Sequence, residues 1–304
     1  MIWTMTRRYG PTMEAGDSLS AVPPEESINW VTSAHRARVA RYMLDGLLDP
    51  ESDSELAAVD AQYRWEKCSA WIRSYLLAGC EHLLLWANVI SPQDFPEGAK
   101  VTNYSRPYYA LARSGLESAC QAVWILTPDT SIERTTRHLR LVYHDLRHMA
   151  LSLEAEADPR STIARERMSF LQQRIDGSFD FVAIKNGEPK FLNLVRECAS
   201  AVNLQPDEIE AIWRLASGAA HGKNWFQALS GQFLVEEEYE PKYFRATHVP
   251  DPVGITKVMN AASRMTVFGV LRFAECAGLD YKSAYDAAFS RLLAETPMKD
   301  SSGN

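Results

Sequence analysis

The chain has 304 residues, 46% hydrophobic and 23% charged, which excludes a low-complexity or disordered protein and suits one large globular domain or two modest ones. Its net charge of −7 excludes a general electrostatic pull on nucleic acid or anionic membrane, so any contact with RNA has to come from a local basic patch. The five cysteines, at 68, 80, 120, 198 and 276, form no C-x-x-C pair and no zinc spacing; they read as small buried residues in a reducing cytosol.

Residues 1–24 hold Gly10-Pro11, Gly16 and Pro23-Pro24 with little apolar periodicity, which predicts a disordered N-terminal segment without the regions of a signal peptide. Residues 25–48 carry Ile28, Val31, Val39, Met43, Leu44 and Leu47 at helical spacing and stop at Asp49-Pro50. Ser54 to Ile90 is a very long helical pattern with an expected break near Gly79. Its most apolar run is interrupted by Glu81 and His82, so no membrane span is expected and the protein is placed in the cytoplasm. Helices are predicted over 105–126, 130–157 and 160–176, separated by Thr127-Pro128 and Asp158-Pro159, then near 189–203, 206–221, 252–277 and 280–294.

One stretch breaks the helical period. Residues 232–240 and 243–249 are rich in aromatic and β-branched residues around Pro241, which predicts a small inserted β-hairpin near 232–249. Trp225, Phe226, Phe233, Tyr239, Tyr243 and Phe244 can include a stacking platform for bases, but the favoured reading is that they pack the hairpin onto the bundle. The tail 296–304 reads as disordered. The fold class is therefore all-α, a multi-helix bundle with a small β insertion, in which 25–99 is an N-terminal helical extension of a main domain spanning 100–295.

Two candidate sites lie in the first helices of that domain. Arg113 and Glu117 stand one turn apart in a run of small and apolar residues, where a partly buried charged pair makes each partner obligatory to the other; an ordinary intrahelical ion pair is the simpler reading. In His144-Asp-Leu-Arg-His148 the two histidines share one helix face and can share a metal, one methylene away from the H-E-x-x-H pattern. Aspartate would hold its carboxylate back from a bound water. Arg137, Arg140, His144 and His148 also form one polar stripe opposite Leu139, Val142, Leu146, Met149 and Leu153, so the stripe reads as a solvated face, with a basic contact for phosphate as the next reading and a metal-dependent hydrolase as the last.

The most pointed spacing is in Pro206 to Gly222. Proline at a first helical position and Asp207, Glu208 and Glu210 near the positive end of the dipole open a helix, and Gly222 stops it. At about 100° per residue, Ile209, Ile212, Trp213, Ala216 and Ala220 fall on one side and Glu210, Arg214, Ser217 and His221 on the other. Glycine at 218 lowers helix propensity between them by about 1 kcal/mol relative to alanine. Read structurally, Glu210 and Arg214 form an exposed i,i+4 ion pair and His221 is merely near a helix end.

Arg214 with six residues before His221, late in a helical domain, resembles the R-x6-H motif of the HEPN superfamily, and the Ser217-Gly-Ala-Ala-His221-Gly222 ending is similar to little-characterised bacterial helical proteins related to it. The resemblance implies that 100–295 is a HEPN-like domain, that two copies dimerise to face their motifs across one site, and that the chemistry is metal-independent cleavage of single-stranded RNA without a cofactor. On that reading His221 is the general base and Arg214 holds the scissile phosphate. Ser217 and Lys223 would support them, and the Arg113–Glu117 pair would face the motif from an earlier helix. It further implies a toxin or phage-defence effector with an antitoxin or regulatory partner. The competing expectation is a catalytically silent helical protein that binds a nucleotide or a partner.

Overall fold

The computed structural model describes residues 22–93, 104–175, 177–241 and 243–296, and among these twelve α-helices and one two-stranded antiparallel sheet form an all-α bundle with an inserted hairpin. The disordered segments expected over 1–24 and 296–304 lie outside the described residues, apart from Val22 to Pro24 and Thr296 at their inner ends.

The centre is built from α1 (Pro24–Gly46), α3 (Cys68–Ile90), α4 (Ser105–Leu126) and α11 (Pro252–Cys276), which pack on one another. Trp30, Leu44, Ile72 and Leu83 share one core with Leu116, Ile125, Met265 and Phe273, so residues on both sides of position 99 bury the same apolar surface. α3 and α4 approach closely because small residues meet there. A Cβ added at Gly79 would lie 3.3 Å from the carbonyl oxygen of Gly115.

That contact corrects the expected break near Gly79: α3 runs straight through it, and the long pattern is interrupted earlier, between α2 (Glu55–Gln62) and Cys68. In this turn Asp60 accepts from the backbone N–H and hydroxyl of Ser69 at 3.0 and 2.6 Å, Tyr63 is buried, and the Glu66 carbonyl accepts from His138 Nε2 at 2.7 Å. The Asp60–Ser69 bonds close the turn locally, and the His138 bond ties it to a distant helix, a partner that local propensity could not reveal. The donor, His138, belongs to α5 (Ser131–Ala155), which with α6 (Arg160–Arg174) and α7 (Phe181–Asn186) encloses a second small core of Leu139, Val142, Leu146, Leu171 and Ile184.

α8 (Phe191–Ala199) and α9 (Pro206–Ala220) lie against α4, and α10 (Asn224–Leu229) leads into β1 (Gly231–Glu240) and β2 (Tyr243–Pro250); α12 (Tyr281–Glu295) closes the chain against α1. The strands pair from Gly231↔Pro250 to Glu240↔Tyr243, with a bulge between Val235 and Glu238. The expectation that the hairpin packs onto the bundle is overturned. Phe233, Tyr239, Tyr243 and Phe244 are all exposed, whereas Phe226, on α10, is buried edge-on against Tyr109 at 5.0 Å. All five cysteines are free and buried, and no helix among the described residues is long and apolar enough to cross a membrane.

Candidate functional site

α9 forms as its sequence directs, with Pro206 at the first position, Asp207 and Glu208 in the first turn, and a glycine stop. Gly222 takes φ +65°, its N–H donates to the Ala219 carbonyl at 3.1 Å, and the Lys223 N–H reaches back to the Gly218 carbonyl at 2.9 Å. This is a Schellman closure, and it holds His221 at the helix cap with its side chain exposed. Ile209 and Ala216 are buried as expected; Ile212 and Trp213 are only half-buried, and Ala220 is exposed because α9 lies on the rim of the bundle.

Arg214 and His221 are held by different partners. The Arg214 side chain, 58% exposed, donates from Nε to Glu210 at 2.7 Å. Glu210 also pairs with Arg196 of α8, which reaches Asp207 at 3.0 Å. Arg214 first and Arg196 second hold the Glu210 carboxyl below the usual carboxylate range. The ion pair read from the i,i+4 spacing is therefore present, as part of a four-residue surface network.

His221 meets α4. Arg113 Nη1 lies 3.4 Å from His221 Nε2, while Arg113 Nε donates to Glu117 Oε1 at 2.8 Å. The same oxygen accepts from Trp213 Nε1 at 2.7 Å, and the Arg113 guanidinium lies 5.2 Å from the centre of the Trp213 ring. Both members of the Arg113–Glu117 pair are largely covered, at 18% and 14% side-chain exposure. The carboxylate and the indole thus fix the plane of the guanidinium and leave one edge pointing at the imidazole. A guanidinium only donates, so a hydrogen bond here takes Nε2 as the acceptor, in the tautomer with the ring proton on Nδ1. At 3.4 Å this is a long hydrogen bond, readily exchanged for a stronger acceptor such as a phosphate oxygen.

One cation was missed in the sequence. Arg106 donates from Nη2 to the Lys223 carbonyl at 3.3 Å and covers the Phe226 ring at 5.1 Å, while its Nη1 is buried without a hydrogen-bond partner. The available signal was its spacing, seven residues before Arg113 and so on nearly the same face of α4. Lys223 itself is exposed at the rim, and Ser217 is half-buried.

Along the outer face of α9 runs an open groove of about 540 Å³, lined by Trp213, Arg214, Leu215, Ser217, Trp225 and Leu229 among others. Trp225 belongs to α10 and lies across α9 because position 218 has no side chain; a Cβ there would come within 2.5 Å of the indole. The glycine that weakens the isolated helix is therefore what admits its neighbour. Gly218→Ala is expected to lower stability by about 1–3 kcal/mol through overpacking, despite alanine's better helix propensity. A thermal melt of the variant at or above the wild-type temperature would reject this account.

The His144–His148 stripe is not the solvated face that its periodicity suggests. His144 is 5% exposed, and Glu188, from the loop after α7, sits against the stripe with one oxygen 2.9 Å from His148 Nε2 and the other 3.7 Å from His144 Nδ1. Arg147 donates to the same carboxylate at 3.2 Å, and Arg137 packs on Trp124 at 4.8 Å. Burial lowers the His144 pKa, against the opposing pull of Glu188. Met149, placed in the core by the same periodicity, is exposed. Among the described residues no group of three or more His, Cys, Asp or Glu is arranged to hold a metal ion. A chelator is accordingly expected to leave the melting temperature unchanged, since Arg147 already neutralises Glu188; a fall of several degrees in EDTA, abolished in His148→Ala, would restore a metal site.

No protein-family model, curated protein or solved structure matches the chain.

Proposed function

We propose that this protein is a metal-independent endoribonuclease of HEPN type that cleaves single-stranded RNA at His221. The observation that carries the reading is the exposed imidazole whose Nε2 faces a guanidinium anchored by a largely covered carboxylate. An incoming phosphodiester is a better acceptor for Arg113 than a neutral imidazole and would draw the guanidinium away, freeing the Nε2 lone pair. His221 then takes the proton of a ribose 2′-hydroxyl, the 2′-oxygen bonds to phosphorus, and the P–O5′ bond breaks with the 5′-oxygen taking a proton from water. The products are a 2′,3′-cyclic phosphate and a 5′-hydroxyl end. Arg113 and Arg214 offset the charge that grows on the phosphate, with Lys223 and Arg106 at the rim. Glu117 acts through Arg113 as a positioning residue.

His221 is exposed, so exclusion of water around it calls for a second copy, and a homodimer facing its two His221 sites is part of the proposal. A cytoplasmic toxin or phage-defence effector, held in check by an antitoxin or regulatory partner, fits this chemistry. The test is cleavage of single-stranded RNA in EDTA by wild type against His221→Ala. A silent nucleotide- or partner-binding protein is the second reading, favoured by the engagement of Arg214 with Glu210 and by the net charge of −7.

A further inference from the structure

The proposed chemistry concerns a phosphate and a ribose and says nothing of how a base is held. We infer that the groove between Trp213 and Trp225 seats one nucleobase of a single-stranded RNA, stacked on the Trp225 indole, with the adjoining phosphate on Arg214. The inference rests on the proposed site because it gives the same strand a second point of attachment.

Three observations converge on that occupant. The first is shape and lining: about 540 Å³ is within the size of small-ligand sites, and its walls are apolar and aromatic with Arg214 and Ser217 as polar groups. The second is the state of Trp225. The indole occupies the space that a Cβ at Gly218 would need, with Cη2 and Cζ2 within 2.5 Å of that position, and it is still 45% exposed, so it rests against α9 and keeps surface open to a planar partner. Leu229, further along the same short helix, is also exposed and extends the apolar floor. The third is charge. In a chain of net charge −7, Arg214 lines the groove, the Arg113 guanidinium lies 5.2 Å from the ring of the lining residue Trp213, and Lys223, bonded through its carbonyl to Arg106, directly precedes the helix that carries Trp225. Aromatic faces beside a line of cations suit bases and the backbone that carries them. Stacking reads no base edge, so the seat would tolerate sequence.

The Glu210 partner of Arg214 does not close this seat. Glu210 already shares its charge with Arg196, so a phosphate oxygen can take the outward edge of the Arg214 guanidinium while Nε stays on the carboxylate.

The test uses the full chain and a fluorescein-labelled eight-nucleotide 2′-deoxyuridine strand, which has no 2′-hydroxyl and cannot be cleaved by the proposed route. Its binding is followed by anisotropy at low salt. Trp225→Ala is expected to weaken binding about tenfold or more, Trp225→Phe to retain most of it, and an abasic site moved along the strand to produce the same loss at one position in wild type but none in Trp225→Ala. Because truncating Trp225 can disturb α10, the abasic strand on wild-type protein and the phenylalanine variant carry the decision. Binding indifferent to every abasic position overturns the inference, as does absence of binding. Concentration-dependent self-association lost in Trp225→Ala assigns the groove to a second copy instead and also overturns it. The two proposals fail separately: RNA cleaved by wild type but indifferent to Trp225 removes the base seat alone, and a Trp225-dependent complex without cleavage of any RNA removes the nuclease alone.

Discussion

Wild-type protein is expected to cut single-stranded RNA in the presence of EDTA and leave a 2′,3′-cyclic phosphate, and His221→Ala to lower the rate about 10²-fold or more by removing the proposed general base. A DNA strand of the same sequence should resist, because it lacks the hydroxyl that attacks. The arginines separate the sequence motif from the three-dimensional cluster. Arg113 Nη1 reaches His221 Nε2, whereas Arg214 pairs with Glu210, so Arg113→Lys should lose more rate than Arg214→Lys: each keeps a charge and loses the planar fork. Glu117→Gln keeps an acceptor for Arg113 and Trp213 but removes the charge that anchors the guanidinium, and it should change kcat more than KM. Variants are compared only after matching melts and sedimentation. Equal degradation by wild type and His221→Ala would mark the activity as contamination and sink the nuclease reading.

The second large effect is on stability. His138 is buried at the α5 contact with the α2–α3 turn, and burial lowers its pKa to about 4, opposed by the hydrogen bond with the Glu66 carbonyl and by the charges of Asp60 and Glu66. Because the folded pKa lies below the unfolded value of about 6.5, the folded state prefers the neutral ring. The contribution is then complete above pH 6.5 and is lost as pH falls from 6.5 towards 4, amounting to about 3 kcal/mol. Urea unfolding at pH 7.5 and pH 4 should show a larger loss for wild type than for His138→Gln, which keeps a donor for Glu66 without titrating. The difference between the two proteins isolates His138 from carboxylates such as Glu55 and Glu295, whose pKa values are also lowered, by Arg134 and by Tyr42 with Arg291. Parallel losses in both proteins would exclude the histidine as the cause.

The longer helices were legible because their apolar positions repeat and local signals bound them: Asp49-Pro50 after α1, Thr127-Pro128 after α4, and Gly222 after α9. The hairpin was legible from its β-branched and aromatic run. α7 and α10, at six residues each, are too short to show a period and went unread. Periodicity also failed where a loop covers a polar stripe. His144 is buried where α7 and the loop carrying Glu188, forty-four residues away, pack against α5, and a helical wheel of α5 holds no trace of either.

By itself, then, the sequence determined the class of fold, the place and end of α9, and the Arg113–Glu117 and Glu210–Arg214 pairs, because all of these depend on residues within one or two helical turns. Tertiary structure alone decided which arginine meets His221. Arg113 and His221 are 108 positions apart and touch only because α4 and α9 pack side by side, with Glu117 bonded to Trp213 across that contact. It likewise turned Gly218 from a weak point in a helix into the floor beneath Trp225, since the cost of a Cβ there is set by an indole delivered by the next helix and not by the helix itself.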